Sequence, residues 1–329
     1  MQLEGDAPLM ATMARYHLGL VDPAGKPTPR DERSAVQGKR IRPQLAFQCC
    51  ASVGGDPAMA APLAAAIELL HNFTLIHDDI QDRSPNRRHR ATVWRVWGDA
   101  QAINAGDALF AMAQRTLLRT DAERVSATTL LRLMDEFNRV TIEIVRGQVL
   151  DLEFERMATV EPDRYLGMIK GKTAAIVRFA AWAGAIVGGA SESTAAQLAQ
   201  FGESLGIGFQ VQDDVLGIWG SLEATGKDPA DDIRRRKKSL PILMLLERAT
   251  PQELTGLMAL YNGEKINEHG VSTVLGLLEK HGIREAATAQ VTAFHRQAEA
   301  SLALALGVDA TESGAPLGEL IRRLDTRIS

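Results

Sequence analysis

Cysteine is nearly missing from this chain: 329 residues hold two, adjacent at Cys49 and Cys50. Sequence neighbours do not form an unstrained disulfide and neither has another partner, so both are expected to be buried, reduced thiols. Aromatic residues reach only 5%, and Ala, Leu and Ile fill long stretches without the alternation of strands, which favours helix over sheet. Charge of one sign is lacking too. The net charge of −4 and the pI near 6.0 create no field that draws nucleic acid or anionic membrane. The first twenty residues carry Glu4 and Asp6 and no basic start followed by an apolar run, so no signal peptide is expected. The most apolar stretches, 60–76 and 173–190, are broken by Glu68, His71 and Arg178, too short or too polar for a membrane span. These absences predict a cytoplasmic protein without stable membrane insertion.

What the chain does have is helical periodicity. Leu63, Ile67, Leu70 and Thr74 follow one face of a helix running into Asp78. Leu130, Leu133, Phe137, Val140, Ile144 and Leu150 make a second stripe, and Leu198, Phe201, Leu205 and Phe209 a third. Breaks fall at Pro23–Pro29, near Gly188–Ser193, across Gly217–Pro241 and at Gly307–Pro316, and Ser191 or Ser193 is placed to cap the helix that follows. No linker or repeat is visible. The expectation is an all-α protein, one large helical domain over residues 1–329.

The segment LLHNFTLIHDDIQD puts Asp78 and Asp82 one helical turn apart on one face, with Asp79 beside them. Like charges at that spacing destabilise a bare helix, so a cation is one way to offset them. Magnesium takes hard oxygen ligands, one or two carboxylates with phosphates and water. Acidic helix faces are commonly just solvated, and DDxxD alone decides nothing. A second cluster, FQVQDDVLG, places Gln210, Asp213 and Asp214 at i, i+3 and i+4. Two acidic patches on two amphipathic helices suggest opposing walls of one cavity. Gln148 and Asp151 repeat the i, i+3 pattern.

Cations accompany these carboxylates: Lys39 and Arg42 in GKRIRP, Arg87 and Arg88 after Asp82, Lys172 with Thr173 in KGKTA, Lys227 in TGK, and the run RRRKK that contains Lys237. Singly, each reads as surface charge. Jointly, beside paired aspartates, they suit two polyanionic substrates, Arg offering bidentate contacts and Lys a point charge.

GKRIRP, ELLHNFTLIHDDIQD, NRRHRAT, NAGDALF, GQVLDL, KGKTA, FQVQDD and the TGK to RRRKKSLP loop resemble, in order, the trans-isoprenyl diphosphate synthases of the polyprenyl synthetase family. The resemblance runs from about residue 35 to 245. It implies an all-α bundle around a central cavity, a homodimer, three magnesium ions, and isopentenyl and allylic diphosphates as substrates. By motif, Asp78 and Asp82 resemble metal ligands with Asp79 in support, and Asp213 resembles the second-motif ligand with Asp214 nearby. Lys39, Arg42, His71 and Arg88 resemble the isopentenyl diphosphate pocket. Arg87, Lys172, Thr173, Gln210, Lys227 and Lys237 resemble the groups that hold the allylic diphosphate. Three departures stand out: Gly217 where many members have a third Asp, Gln37-Gly38 for a double glycine, and His89 for a glycine after the arginines.

The resemblance implies heterolysis of an allylic carbon–oxygen bond, with metals and cations offsetting charge on the leaving diphosphate. Thr74 and Phe73, four and five residues before Asp78, lie about 6–7.5 Å down the helix, where bulk stops chain growth in this family. One aromatic there resembles twenty-carbon synthases most, with fifteen-carbon or longer products as alternatives. A bland reading packs Phe73 on a neighbouring helix. A class I terpene cyclase would share DDxxD, but FQVQDDVLG lacks that class's second metal motif. A non-catalytic subunit has only Gly217 in its favour. A nucleic-acid binder resting on RRRKK is opposed by Asp228, Asp231 and Asp232 in the same loop and by the lack of an aromatic platform.

Overall fold

A computed structural model describes residues 7–38, 40–120, 125–220, 230–263, 265–307 and 316–325. Among them the regular structure is helical apart from a two-stranded ribbon and one isolated bridge, Val21 to Pro27. The described chain groups into two compact units, Met1–Phe137 with Ala183–Ala190, and Asn138–Trp182 with Ser191–Ser329.

The first unit holds α1 (Pro8–His17), α2 (Arg30–Gln37), α3 (Ile41–Ser52), a 3-10 turn (Pro57–Ala60) and α4 (Ala61–Gln81). The ribbon β1 (Asn86–Arg87) and β2 (Arg90–Ala91) follows, then α5 (Val93–Trp97), α6 (Asp99–Leu117) and the start of α7 (Ala127–Arg156). Proline within the first two positions opens α1 and α4, where its missing N–H costs nothing. The predicted stripe on α4 is real: Leu63, Ile67 and Leu70 are buried, and α4 packs along α6 through Leu109 and Leu117. Cys49 and Cys50 are buried and reduced on α3. Pro57–Gln81, the turn plus α4, is long and apolar enough to cross a membrane by length and composition, longer than the sequence reading allowed. Half of its most apolar window is buried inside the protein.

The second unit holds the rest of α7, α8 (Pro162–Ile169), a π-turn (Lys170–Ala174), α9 (Ala175–Val187, whose last residues belong to the first unit) and α10 (Glu192–Trp219). After these come α11 (Asp231–Arg234), α12 (Leu240–Arg248), α13 (Pro251–Asn262), α14 (Glu268–Lys280), α15 (Ile283–Leu306) and α16 (Pro316–Asp325). Ser191 is the N-cap of α10, accepting the Thr194 N–H, as one of its two candidate serines was expected to do. Thr250 and Glu253 form a reciprocal capping box on α13. The core is built by Ile207, Val211, Val215 and Ile218 of α10 with Leu240, Leu243, Val274 and Val291. The predicted break at Gly217 comes later: α10 continues through it to Trp219.

The buried side chains Leu133, Phe137, Val140 and Ile144 on α7, and Leu198, Phe201 and Leu205 on α10, confirm the other two stripes. Their end members Leu130, Leu150 and Phe209 are half-buried.

Candidate active site

In the first unit, α4 ends in the acidic motif. Asp82 is its exposed C-cap, Asp78 is half-buried, and Asp79 is only 2% exposed. A carboxylate buried that deeply needs a cation or donors. Arg87 supplies them, its Nε donating to Asp79 Oδ1 at 2.9 Å while Nη2 reaches Asp78 Oδ2 at 3.3 Å. Burial pushes the Asp79 carboxyl above the ordinary range, a shift that Arg87 opposes but does not cancel.

Arg87 gets there because the chain reverses in the ribbon. Arg88 and His89 both have positive φ, 51° and 61°, and form the two-residue corner between β1 and β2, the geometry of a tight hairpin turn that glycine or asparagine usually fills. This explains what the His89 departure does locally: a side chain sits where glycine would be unstrained.

Arg88 turns the other way and donates from Nη1 to Gln37 O at the C-terminus of α2, 2.9 Å away. Its guanidinium crosses over Gly38, where an added Cβ would lie 2.8 Å from Arg88 Cζ. Nearby, Arg42 Nη1 lies 3.3 Å from His71 Nε2. Arginine has only donors, so the His71 nitrogen accepts. Burial, then Arg42, Arg88, Arg87 and His17, holds His71 well below the usual imidazole value. His17, which sequence reasoning missed, is held at about 3 by burial and by Arg87, Arg88 and Arg90. With Tyr16, Asp79 and these three arginines it lines a cavity of about 20 Å³, a volume on the scale of one water.

Phe73 packs edge-on to His77 with ring centroids 4.8 Å apart and, at 5.1 Å, on Phe110 of α6. The neighbouring-helix contact of the bland reading is therefore present. The Thr74 hydroxyl turns back to His71 O at 2.8 Å.

In the second unit, KGKTA folds as the π-turn, a form of helix often found at functional sites. Gly147 on α7 lets the backbones close there, since a Cβ would lie 2.7 Å from Lys172 Cα. Lys172 Nζ donates to Asp151 Oδ2 at 2.5 Å. From Thr173 a chain of hydrogen bonds runs to Gln210 Oε1 (3.2 Å), on from Gln210 Nε2 to Asp214 Oδ1 (3.4 Å), and Lys237 Nζ joins the same oxygen at 3.1 Å. Asp214 is wholly buried and also accepts from Tyr165 OH at 2.7 Å and Leu240 N at 3.3 Å. Four donors thus compensate one buried charge. Burial first, then Asp214, drives the Tyr165 phenol far above its usual value. Burial alone would lower Lys237, but Asp214 and Asp232 outweigh it and raise the ammonium above the ordinary range. Asp213, by contrast, is exposed.

Sequence reasoning missed Tyr165 and the structural part of Asp232, since neither lies at helical spacing from Asp214. Of RRRKK it assigned only Lys237, and the structure gives the other members separate partners. Arg234 pairs with Glu268 at 3.0 Å, Arg235 with Asp231 at 3.1 Å, and Arg236 donates to Gly263 O. Lys238 donates to Phe154, Glu155 and Met157 carbonyls around the C-terminus of α7, where a cation is favoured. Lys39 and Lys227 lie outside the described residues.

The polyprenyl synthetase family profile matches residues 29–278. The chain belongs to that family. It is 44% identical over 235 residues to a (2E,6E)-farnesyl diphosphate synthase of Mycobacterium bovis, covering 71% of this chain and 63% of that protein. The chain thus spans less than two thirds of that relative's length. It is 41% identical to a geranylgeranyl diphosphate synthase of Mycobacterium tuberculosis, over 77% of this chain and 69% of the relative. The crystal structure of a polyprenyl synthetase from Streptomyces coelicolor A3(2) superimposes with a TM-score of 0.84 at 35% identity, covering 98% of this chain and 92% of that one. This polyprenyl synthetase family member therefore has the all-α isoprenoid synthase fold.

Among the described residues no three acidic, histidine or cysteine side chains gather closely enough to enclose a cation alone. Magnesium bound through one or two carboxylates and the oxygens of a diphosphate needs no such cage. In the first unit half-buried Asp78, which also meets Arg87, and exposed Asp82 carry hard oxygen atoms, and in the second exposed Asp213 does so. Within each unit these oxygens are of the kind that the metal takes.

Proposed function

We propose that this protein condenses isopentenyl diphosphate head-to-tail with allylic diphosphates in a magnesium-dependent reaction, giving a short trans-polyprenyl diphosphate of twenty carbons. The observation that carries the reading is the split within each aspartate pair. Asp79 and Asp214 are buried on cations, while Asp82 and Asp213 are exposed and half-buried Asp78 meets Arg87 at its edge. Family membership and relatives named as farnesyl and geranylgeranyl diphosphate synthases support it.

Asp78, Asp82 and Asp213 would hold magnesium, which offsets charge on the departing diphosphate when bound. Arg87, Lys172 and Lys237 hold the allylic diphosphate by charge, with Thr173 and Gln210 fixing its orientation. Arg42, His71 and Arg88 receive isopentenyl diphosphate. A neutral His71 donates a hydrogen bond from one ring nitrogen while accepting from Arg42 at the other. The allylic carbon–oxygen bond breaks with its electron pair leaving on diphosphate, the isopentenyl double bond attacks the cation, and a proton is lost to the released diphosphate. Phe73, backed by Phe110, is the proposed limit to chain growth. The exposed apolar side chains Ile142, Val145 and Val149, at helical i, i+3 and i+7 on α7, support association with a second copy of the chain.

Purified protein incubated with labelled isopentenyl diphosphate and each allylic primer tests the whole reading. A chromatogram dominated by a twenty-carbon product, abolished by EDTA, is expected. No elongation with any primer would overturn it, and a cyclic hydrocarbon from the allylic substrate alone would favour the cyclase.

A further inference from the structure

Gly217 sits four residues after Asp213, inside α10, where the family pattern often carries a third aspartate. The structure shows what takes up that space. A Cβ added at Gly217 would lie 2.6 Å from Asp232 Cγ and 3.0 Å from its Oδ1, and would overlap Oδ2. The Asp232 side chain therefore rests directly on the bare backbone of position 217.

Asp232 is tied there at several points. It belongs to the short α11 turn, entered through Ala230 in the left-handed conformation, with φ 59°. The Ala230 N–H bonds to Ile218 O at 3.1 Å, which fastens this turn to the end of α10. Asp232 is 4% exposed, its Oδ2 is 3.4 Å from Lys237 Nζ, and its own carbonyl accepts the Lys237 N–H at 2.8 Å. The ammonium is thus held between Asp214 and Asp232. Burying a second carboxylate beside Asp214 is unfavourable unless it is paired, and the shared lysine is the pairing.

We propose that Asp232 is the third carboxylate of the second acidic motif, supplied from α11 through the space that Gly217 leaves open, and that it positions Lys237 for a diphosphate. Lysine is a point charge on a flexible four-carbon stem, so one anchor leaves it a cone of positions and two anchors leave it one. A side chain at position 217 would have to displace the Asp232 carboxylate. The assignment rests on the reading that Lys237 meets the allylic diphosphate.

Calorimetric titration of the full chain with magnesium and inorganic diphosphate, beside a melting curve, tests this without turnover. Asp232→Asn keeps the shape and removes the charge; it should bind the pair about 10–100-fold more weakly, as expected for loss of an orienting partner. Gly217→Ala should also weaken binding, although alanine is the better helix former and by propensity alone would raise the melting temperature. Gly217→Ala combined with Asp232→Ala should bind no worse than Asp232→Ala alone, because the methyl then has nothing to displace. In steady state both single variants should raise KM for the allylic substrate more than for isopentenyl diphosphate. Wild-type affinity in Asp232→Asn, or losses at the two positions that simply multiply, would overturn the proposal. If the unaltered protein itself fails to bind magnesium and diphosphate, the functional reading falls instead.

Discussion

At the end of α4 the buried Asp79 depends on one arginine, brought back by a hairpin of strained residues. On α10 the buried Asp214 is met by Tyr165, Gln210, Lys237 and the N-terminus of α12. Both arrangements keep the second aspartate of a pair from solvent and leave the first nearer to it. They differ in redundancy. The first clasp fails with the loss of a single side chain, and the second is shared among four elements, so the removal of any one donor is partly covered by the rest.

The largest effect should separate the two members of the α10 pair. Asp214→Ala takes the acceptor from Tyr165, leaves Lys237 with Asp232 alone and should destabilise the fold by about 3–5 kcal/mol. Asp213→Ala should barely move the melting temperature and yet lower kcat by at least about 100-fold, the scale of losing a charge-stabilising group. Melting curves and kinetics on both variants check this, and equal behaviour would break the comparison.

Next is the asymmetry between clasps. Arg87→Ala strands Asp79 and should cost about 2–3 kcal/mol, whereas Gln210→Ala, removing one donor of four, should cost about 1 kcal/mol. The sign with pH follows from Asp79, whose carboxyl is raised in the fold. Such a group adds stability below the ordinary carboxylate range and loses it as pH rises through its folded value. Without Arg87 that value moves higher still, so denaturant titrations should show the variant's deficit growing towards neutral pH.

Acid sensitivity should belong mainly to the first unit. His17 and His71 are held low in the fold, so their contribution is present above the ordinary imidazole value and lost as pH falls below it. The loss amounts to about 1.4 kcal/mol per pH unit for each histidine below about pH 6.5. Asp79 works in the opposite direction but only nearer its own, lower range. His17→Asn should flatten the pH dependence of unfolding by one histidine's share. The smallest effect is at the hairpin corner. His89→Gly relieves a left-handed residue and should raise stability by about 1 kcal/mol, with KM and kcat unchanged.

Much of this was legible in advance, for identifiable reasons. Asp78 with Asp82, and Gln210 with Asp213 and Asp214, follow helical spacing, so local sequence was enough to group them. Leu63, Ile67 and Leu70 declared the buried face of α4 in the same way. Contacts made by chain reversal were hidden. Nothing in NRRHRAT announces a hairpin when both corner residues are large, and so the Arg87 to Asp79 bond was not visible. Tyr165 meets Asp214 across 49 residues, and only the packing of α8 against α10 reveals it. Within RRRKK the sequence singled out Lys237 alone, and like residues in a row gave no sign that Arg234, Arg236 and Lys238 diverge to separate partners.

The π-turn at Lys170–Ala174 has a consequence for how this segment tolerates change. A π-turn is an α-helix that has absorbed one additional residue, so the widened turn takes up the insertion locally and re-aims the side chains within it. Deleting Gly171 would let the segment revert to regular α-helix with its flanks nearly in place, because the π-turn fits one extra residue into about one turn, while the side chains inside the turn would be re-aimed. Lys172 would swing off Asp151, and the Thr173 hydroxyl would leave Gln210. The extra residue sets where Lys172 and Thr173 point, so its loss should harm substrate binding more than the same loss in the exposed turn at Asp22–Gly25, while the helices on either side keep their packing.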